Sequence, residues 1–471
     1  MYTEPTCGPI LRQSVFDDVA RTRTKMDILP NMHTLIWKGS LHLSVMFMHS
    51  SIKSFVIWLP DELQHGSPRP FFQDISARMP SLTNLNLRSY VPIHHIESNI
   101  VDLIEGLPKL QSITFPRWYL TTKITEALSR LQQLGVIEFQ YLSEQGCGDP
   151  DDTYPYVPNL CEGAFPTLWD YSVTASFDDV ARFFNLQFAP TNLTTFYVDS
   201  ELIETASSIH DVLTVLAENC QLLKYLALVS FRDSSSPGTG SSHTESDNPD
   251  DYIISFDNIK PILKLANLSS LEMLHHHPIA VTKQDIETLA SAWPSLETFI
   301  LNNEPVIFSE STLMLDDLLS FARHCPKLNH LGLFVDASSV ESPLGLSTTA
   351  ALVPFKSLRR LSMGISIIDD DHPVALYLSH ILPLGCVIDC GITWDEGMEP
   401  DRDVFREVQE RCDQWTKVAK LLPVLVKLRI EERERTRAME RELDDLRMRT
   451  GLLRDNAALG VRLDISSCVM I

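Results

Sequence analysis

Apolar residues along this chain recur as one short triplet: apolar, two residues, apolar, one residue, apolar. Clear copies are Leu82-Leu85-Leu87, Leu110-Ile113-Phe115 and Leu223-Leu226-Leu228. Leu296-Phe299-Leu301, Leu328-Leu331-Leu333 and Leu358-Leu361-Met363 match as well. Weaker copies start at Met32, Ile52, Leu134, Leu168, Leu193 and Leu268, with a degenerate one near Leu384 to Asp389. Twelve steps from position 32 to position 384 give a mean spacing of about 29 residues. The last two apolar positions of each triplet are two apart, so they share one face of a short strand. The first leads the chain into that strand.

Between triplets there is room for a helix, and the residues supply one. Asp285 to Trp293 and Leu315 to His324 carry apolar residues at helical spacing. Thr282-x-x-Asp285 and Ser176-x-x-Asp179 have the form of helix-starting boxes. A strand–helix unit of this size cannot bury its apolar face alone, whereas stacked units share one continuous core. The spacing lies near the upper end of the leucine-rich-repeat range. It predicts an α/β leucine-rich-repeat solenoid over 1–392: about 12 or 13 irregular units forming a curved parallel sheet with outer helices. Phe16-Asp-Asp-Val-Ala-Arg21 recurs letter for letter as Phe177 to Arg182. The N-terminus therefore reads as the helix of a solenoid unit.

Composition narrows the function classes. The chain has 471 residues, with 39 Lys plus Arg against 62 Asp plus Glu, a formal charge of −23. Such a surface repels phosphate backbones, so no nucleic-acid partner is expected. Nine Cys is ordinary usage and not a disulfide scaffold. Residues 1–11 lack the apolar core of a signal peptide. The most apolar stretch, Leu41 to Leu59, is broken by His42, His49 and Lys53 and is too polar to span a membrane. The expected location is cytoplasmic or nuclear, not secreted.

Two segments depart from the repeat. Residues 232–250 are Ser/Asp-rich and poor in apolar residues, so they are expected to be a disordered insert. Their serines, Ser234 to Ser236 among them, offer phosphorylation sites. Residues 393–456 read as a charged helical tail that Pro423 starts or interrupts, and 457–471 as a flexible end. Leu425, Leu428, Met439, Leu443, Leu446 and Leu453 partly fit heptads, but Glu431 to Arg437 offers no seam. A solvated single helix is favoured over a sustained coiled coil. Such a helix would shield the last repeat. The chain ends Cys468-Val-Met-Ile471, which fits a prenylation box at Cys468; a membrane partner is expected only if that lipid is added.

Asn219-Cys220 and His324-Cys325 stand before their triplets, and the last strand reads Leu382-Pro-Leu-Gly-Cys-Val-Ile388. With units of about 30 residues, these features resemble the leucine-rich-repeat region of F-box proteins. The resemblance is greatest to the expanded F-box-like set of mushroom-forming basidiomycete fungi, and it covers roughly residues 14 to 392. It implies a substrate-recognition subunit of a ubiquitin ligase. In such proteins an F-box ahead of the repeats docks on the Skp adaptor. Here only about 30 residues precede the first strand and they already read as repeat, although Leu29-Pro30 has the look of an F-box opening. Either the F-box is missing from this gene model, or the protein binds without ligase coupling.

No catalytic set is readable. A P-loop, a dinucleotide Gly-rich loop and a nucleophile elbow are all missing from the sequence. Cys386 and Cys390 lack a second pair at zinc spacing, and Asp149, Asp151 and Asp152 lack calcium-loop spacing. His275, His276 and His277 alternate faces and read as a plain exposed run. No catalytic residue, cofactor or metal is expected, so function rests on binding. Two rows should face the open concave sheet. One holds Lys38, Trp58, Arg88, Pro116, Gln140, Thr174 and Asp199. The other holds Thr34, Ser54, Asn84, Ser112, Val136, Asp170, Thr195 and Tyr225. Aromatic and Arg side chains dominate protein hot spots, which makes Trp58, Arg88, Tyr197, Tyr225, His330 and Arg360 the candidates. The readings are a ligase substrate receptor, a stand-alone repeat scaffold, or a membrane-tethered regulator dependent on Cys468.

Overall fold

The computed structural model describes residues 13–23, 25, 27–60, 68–140, 144–231, 248–307, 311–339, 353–393 and 402–465. Most of the insert and Cys468 lie outside them. The strands of the first half are β1 (Thr34–Trp37), β2 (Ser54–Trp58), β3 (Asn84–Arg88), β4 (Ser112–Phe115), β5 (Val136–Phe139) and β6 (Asp170–Thr174). Then follow β7 (Thr195–Ser200), β8 (Tyr225–Ser230), β9 (Ile254–Ser255), β10 (Ser270–His275), β11 (Ile279–Ala280) and β12 (Thr298–Leu301). The last are β13 (His330–Leu333), β14 (Arg360–Gly364) and β15 (Val387–Cys390). Thirteen of them form one parallel sheet in chain order, while β9 and β11 pair apart as a two-stranded ribbon. This is the leucine-rich-repeat solenoid that the triplets predict.

Helices fill the return paths: α1 (Gln13–Thr22), α2 (Leu41–Ser44), α3 (Arg69–Arg78), α4 (Glu97–Glu105), α5 (Thr122–Ser129) and α6 (Phe177–Phe184). They continue as α7 (Ala206–Asn219), α8 (Phe256–Ile259), α9 (Lys283–Ala292), α10 (Leu319–His324), α11 (Asp371–Ile381) and α12 (Arg402–Ile465). A 3-10 turn over Leu315–Leu318 leads into α10. The starting boxes work as drawn. The Ser176 hydroxyl accepts from the Asp179 N–H, and Thr282 and Asp285 cap α9 reciprocally.

One unit shows how the triplet makes the core. In β3, Leu85 and Leu87 are buried, whereas Asn84, Asn86 and Arg88 between them reach solvent. On the buried side they join Leu82 and the inner faces of α3 (Phe71, Phe72, Ile75) and α4 (Ile100, Leu103, Ile104) in one continuous cluster. Each fully buried Leu contributes roughly 1.5–3 kcal/mol of transfer free energy. Cys220 and Cys325 sit at helix ends, their thiols on the carbonyls of Pro190 and Ala290. Burial pushes both thiols up to about 12, so they act as small apolar turn residues.

The tail differs from expectation in two ways. Pro423 neither starts nor breaks α12, which runs 64 residues and carries on past position 456 into the segment expected to be flexible. Pro423 and Val424 face solvent while Leu422 and Val426 are buried, so the helix keeps its packed face through the proline. The helix covers the end of the solenoid: Trp415, Val418, Leu422 and Val426 enter the main core. Arg411 donates to the Ile365 carbonyl at 3.0 Å and Arg429 to the Ser379 hydroxyl at 2.9 Å. From Glu431 to Asp455 every side chain is exposed. Among the described residues, no helix is long and apolar enough to cross a membrane.

Candidate functional site

The helix-free face of the sheet presents the alternate strand positions. The row from Thr34 through Ser54, Asn84, Ser112, Val136, Asp170 and Thr195 to Tyr225 is in perfect register across β1 to β8. In the second row Trp58 faces Arg88 and Thr174 faces Asp199. That row is not uniformly open, as the sequence reading assumed, because Pro116, Thr174 and Asp199 are buried. Arg117, just after β4, lies over the Trp118 ring and reaches Asp199 of β7 at 2.5 Å. A long side chain from a distant unit thus covers a carboxylate that strand alternation alone would expose.

The candidate binding residues fall into three separate pairs. Trp58 and Arg88 are on neighbouring strands: the Arg88 guanidinium stands 4.3 Å from the indole centre, and Lys38 approaches the same ring at 5.6 Å. Arg88 also reaches Glu144 at 3.0 Å and Asn86 at 3.4 Å, which fixes its plane. The result is an ordered, mostly buried aromatic–cation pair with the exposed Lys38 at its edge.

Tyr197 and Tyr225 lie diagonally across β7 and β8, where Tyr225 pairs with Thr195 and Tyr197 with Ala227. Tyr225 is 47 % exposed, while Tyr197 packs edge-on against Phe139 at 5.3 Å. Around them the open face is acidic. Glu138 accepts from Thr114 at 2.9 Å and from Gln140 at 3.2 Å. Burial, helped by the Glu138 charge, pushes Asp170 up to about 6, and burial also raises Glu272.

His330 and Arg360 face each other on β13 and β14. Arg360 pairs with Asp389 at 2.8 Å, and His330 meets the Ser362 hydroxyl at 2.7 Å. Burial, then the Arg360 charge, lowers the His330 pKa. Ten inter-strand steps separate β2 from β14, roughly 48 Å of sheet at ~4.8 Å each. The three pairs are therefore points on one long surface and not one pocket.

At its C-terminal end this face is closed by its own chain. After β15 the backbone turns back so that Ile392, with Tyr197, packs on Val229, Phe231, Leu274, Ile300 and Val306. Thr393 places its hydroxyl on Glu304 at 2.8 Å and its N–H on the same carboxylate. Burial pushes Glu304 up to about 7 against the opposing effect of those two hydrogen bonds, and the nearby Glu272 charge adds to the rise. Further along, Val408 covers Phe334 and Ile365.

The histidine run is a correction to the sequence reading. His275 is 1 % exposed: it ends β10, which lies between β8 and β12, and its ring lies against the loop before α7. Its Nε2 lies 2.8 Å from the Glu204 carbonyl oxygen, and burial lowers its pKa to about 4. Glu204 in turn accepts from Ser200, Ser208 and the Phe177 N–H, and burial pushes it up to about 7. This network ties the rims of β7, β8 and β10 together, and no sequence signal beyond a lone glutamate in a loop announced it. Asp370, Asp371 and His372, at the start of α11, bring ligand atoms within 4.8 Å of one another. They are largely exposed, and Asp370 is already used as the cap of His372 N–H.

No family model matches the chain, and no curated protein does. Among solved structures the chain is similar to one from the yeast Rad7 and Elc1 complex, at 12 % identity and TM-score 0.41, over 83 % of this chain and 85 % of that one. It is also similar to the leucine-rich repeat-containing protein LegL7 of Legionella pneumophila, at 12 % identity and TM-score 0.29, over 82 % of this chain and 98 % of that one.

Proposed function

We propose that this protein is a protein-interaction module that holds a partner chain along the open face of its sheet, and that it serves as the substrate-recognition part of an F-box-type ubiquitin ligase. The observation that carries the binding reading is the Lys38–Trp58–Arg88 ladder. A large aromatic with two cations on it is held partly exposed on the sheet, outside the stretch closed by Ile392 and α12. Pre-ordered aromatic and Arg side chains lose little entropy on docking and form the commonest hot spots. The ligase reading is supported by the sequence resemblance alone and requires the Skp adaptor.

The test is affinity purification of the full chain from its native cells, with quantitative mass spectrometry. Wild type is compared with Trp58→Ala/Arg88→Ala and with Lys427→Ala, an exposed α12 control. A partner lost from the first variant and kept by the control supports the binding reading. Equal recovery from all three refutes it. Co-recovery of the Skp adaptor supports the ligase reading, and its absence leaves a stand-alone scaffold.

A further inference from the structure

Helix α12 carries one heptad frame through two environments. In its first half the frame places Trp415, Val418, Leu422 and Leu425 at successive a and d positions, and these pack on the last repeat. Arg429 and Glu432 then interrupt the apolar run, and Arg429 makes the last hydrogen bond to the solenoid, at Ser379. The same frame resumes as Met439, Leu443, Leu446 and Leu453, with Thr436 and Thr450 at the remaining a positions. No solenoid lies beneath this second stripe, and its four apolar side chains are 53 %, 52 %, 52 % and 70 % exposed. A helix standing in water has no physical use for an apolar seam in register with a buried one.

The flanking charges say what covers it. Positions Glu440 and Glu442 flank the seam on one turn, and Arg447 and Arg449 flank it two turns on. Within the helix, Arg447 and Arg449 reach only Asp444 and Asp445, at 3.3 and 2.9 Å, and they remain more than two-thirds exposed. Place a second copy antiparallel, with Leu443 against Leu446 of that copy. Glu440 then meets Arg447 of the second copy, and Glu442 meets Arg449, on both sides of the two-fold axis. The like-charged contact of Arg433 with Arg454 falls at the periphery. This arrangement puts the two solenoids at opposite ends of a contact roughly 30 Å long.

We infer that residues 436–453 of α12 form an antiparallel two-helix contact with a second copy of this chain, independent of the open sheet face. The experiment is sedimentation equilibrium of the full chain from low to high micromolar concentration, with far-UV circular dichroism confirming helix content. The expected result is a concentration-dependent dimer. Leu443→Asp/Leu446→Asp weakens it at least ~100-fold, since two apolar side chains are lost from each copy. Glu442→Arg weakens it about tenfold by turning two attractive contacts repulsive, and adding Arg449→Glu restores it. Glu442 and Arg449 are two turns apart on one helix, so rescue reads contact between copies. A chain that stays monomeric, or a dimer indifferent to the Leu443→Asp/Leu446→Asp change, overturns the inference. Rescue by Arg447→Glu in place of Arg449→Glu overturns the antiparallel arrangement.

Discussion

Trp415 of the C-terminal helix donates its indole N–H to the Ser366 carbonyl oxygen at 2.9 Å, and its ring is 0 % exposed. Ser366 lies 49 residues earlier, just beyond β14, where its hydroxyl also accepts from the Val335 N–H at 3.0 Å. One aromatic side chain therefore binds the tail to the loop after β14, which in turn is bonded to the loop after β13. An open solenoid end exposes core, and this contact closes it.

Trp415→Ala is expected to destabilise the protein by about 3–5 kcal/mol, the usual cost of removing a fully buried Trp. Leu452→Ala, on the free part of the same helix, should stay within about 0.5 kcal/mol. Urea unfolding of both variants checks this. Equal midpoints would mean that α12 does not cap the solenoid.

The Arg117–Asp199 pair predicts an asymmetric double-mutant cycle. The Asp199 side chain is 1 % exposed, so Arg117→Ala leaves a buried carboxylate without its partner, at a cost of about 3–5 kcal/mol. Adding Asp199→Asn removes the stranded charge and should recover much of that loss. Denaturant titrations of the two singles and the double give the coupling directly.

Glu304 gives stability a pH dependence of known sign. Its folded pKa is raised to about 7 from 4.5, first by burial. The folded state therefore holds the proton more tightly than the unfolded chain does. Its contribution is fully present below pH 4.5 and is lost as pH rises through about 7. Glu304→Gln should thus raise the melting temperature more on the alkaline side of that window than on the acid side. A gain independent of pH would show that Glu304 is not the titrating group. His275 acts in the opposite sense: its pKa is lowered to about 4, so its contribution is lost as pH falls from 6.5 through that value.

Strand alternation in β3 predicts a clean contrast. Leu85→Ala should cost about 2–5 kcal/mol, and its exposed neighbour Asn84→Ala no more than about 0.5 kcal/mol. Thermal melts of the pair test it. Similar losses would mean that the register of the sheet is shifted by one residue.

The repeat, the inward triplets and the strand register were legible in the sequence itself. They follow from spacing within about 30 residues, and one shifted residue would bury polar side chains along the whole sheet. The helix starts at Ser176 and Thr282 were equally local, since a cap is made by residues three apart. In the tail, only a partial heptad spacing was visible, with no seam from Glu431 to Arg437. Pro423 misled because the local cost of an interior proline was outweighed by the packing of Trp415, Val418, Leu422 and Val426 on the solenoid, which sequence spacing does not reveal.

By itself, then, the sequence determined what each unit is: which residues of a strand point inward, where its helix begins, and that the units stack in chain order. Tertiary structure alone decided which parts of the sheet face stay open. Arg117 covers Asp199 from 82 residues away, Thr393 reaches Glu304 from 89, and His275 is sealed by a loop 71 residues earlier. Such contacts depend on side-chain reach and on how the sheet brings distant units together. Local periodicity specifies the units and carries no information about which distant segment will lie across them.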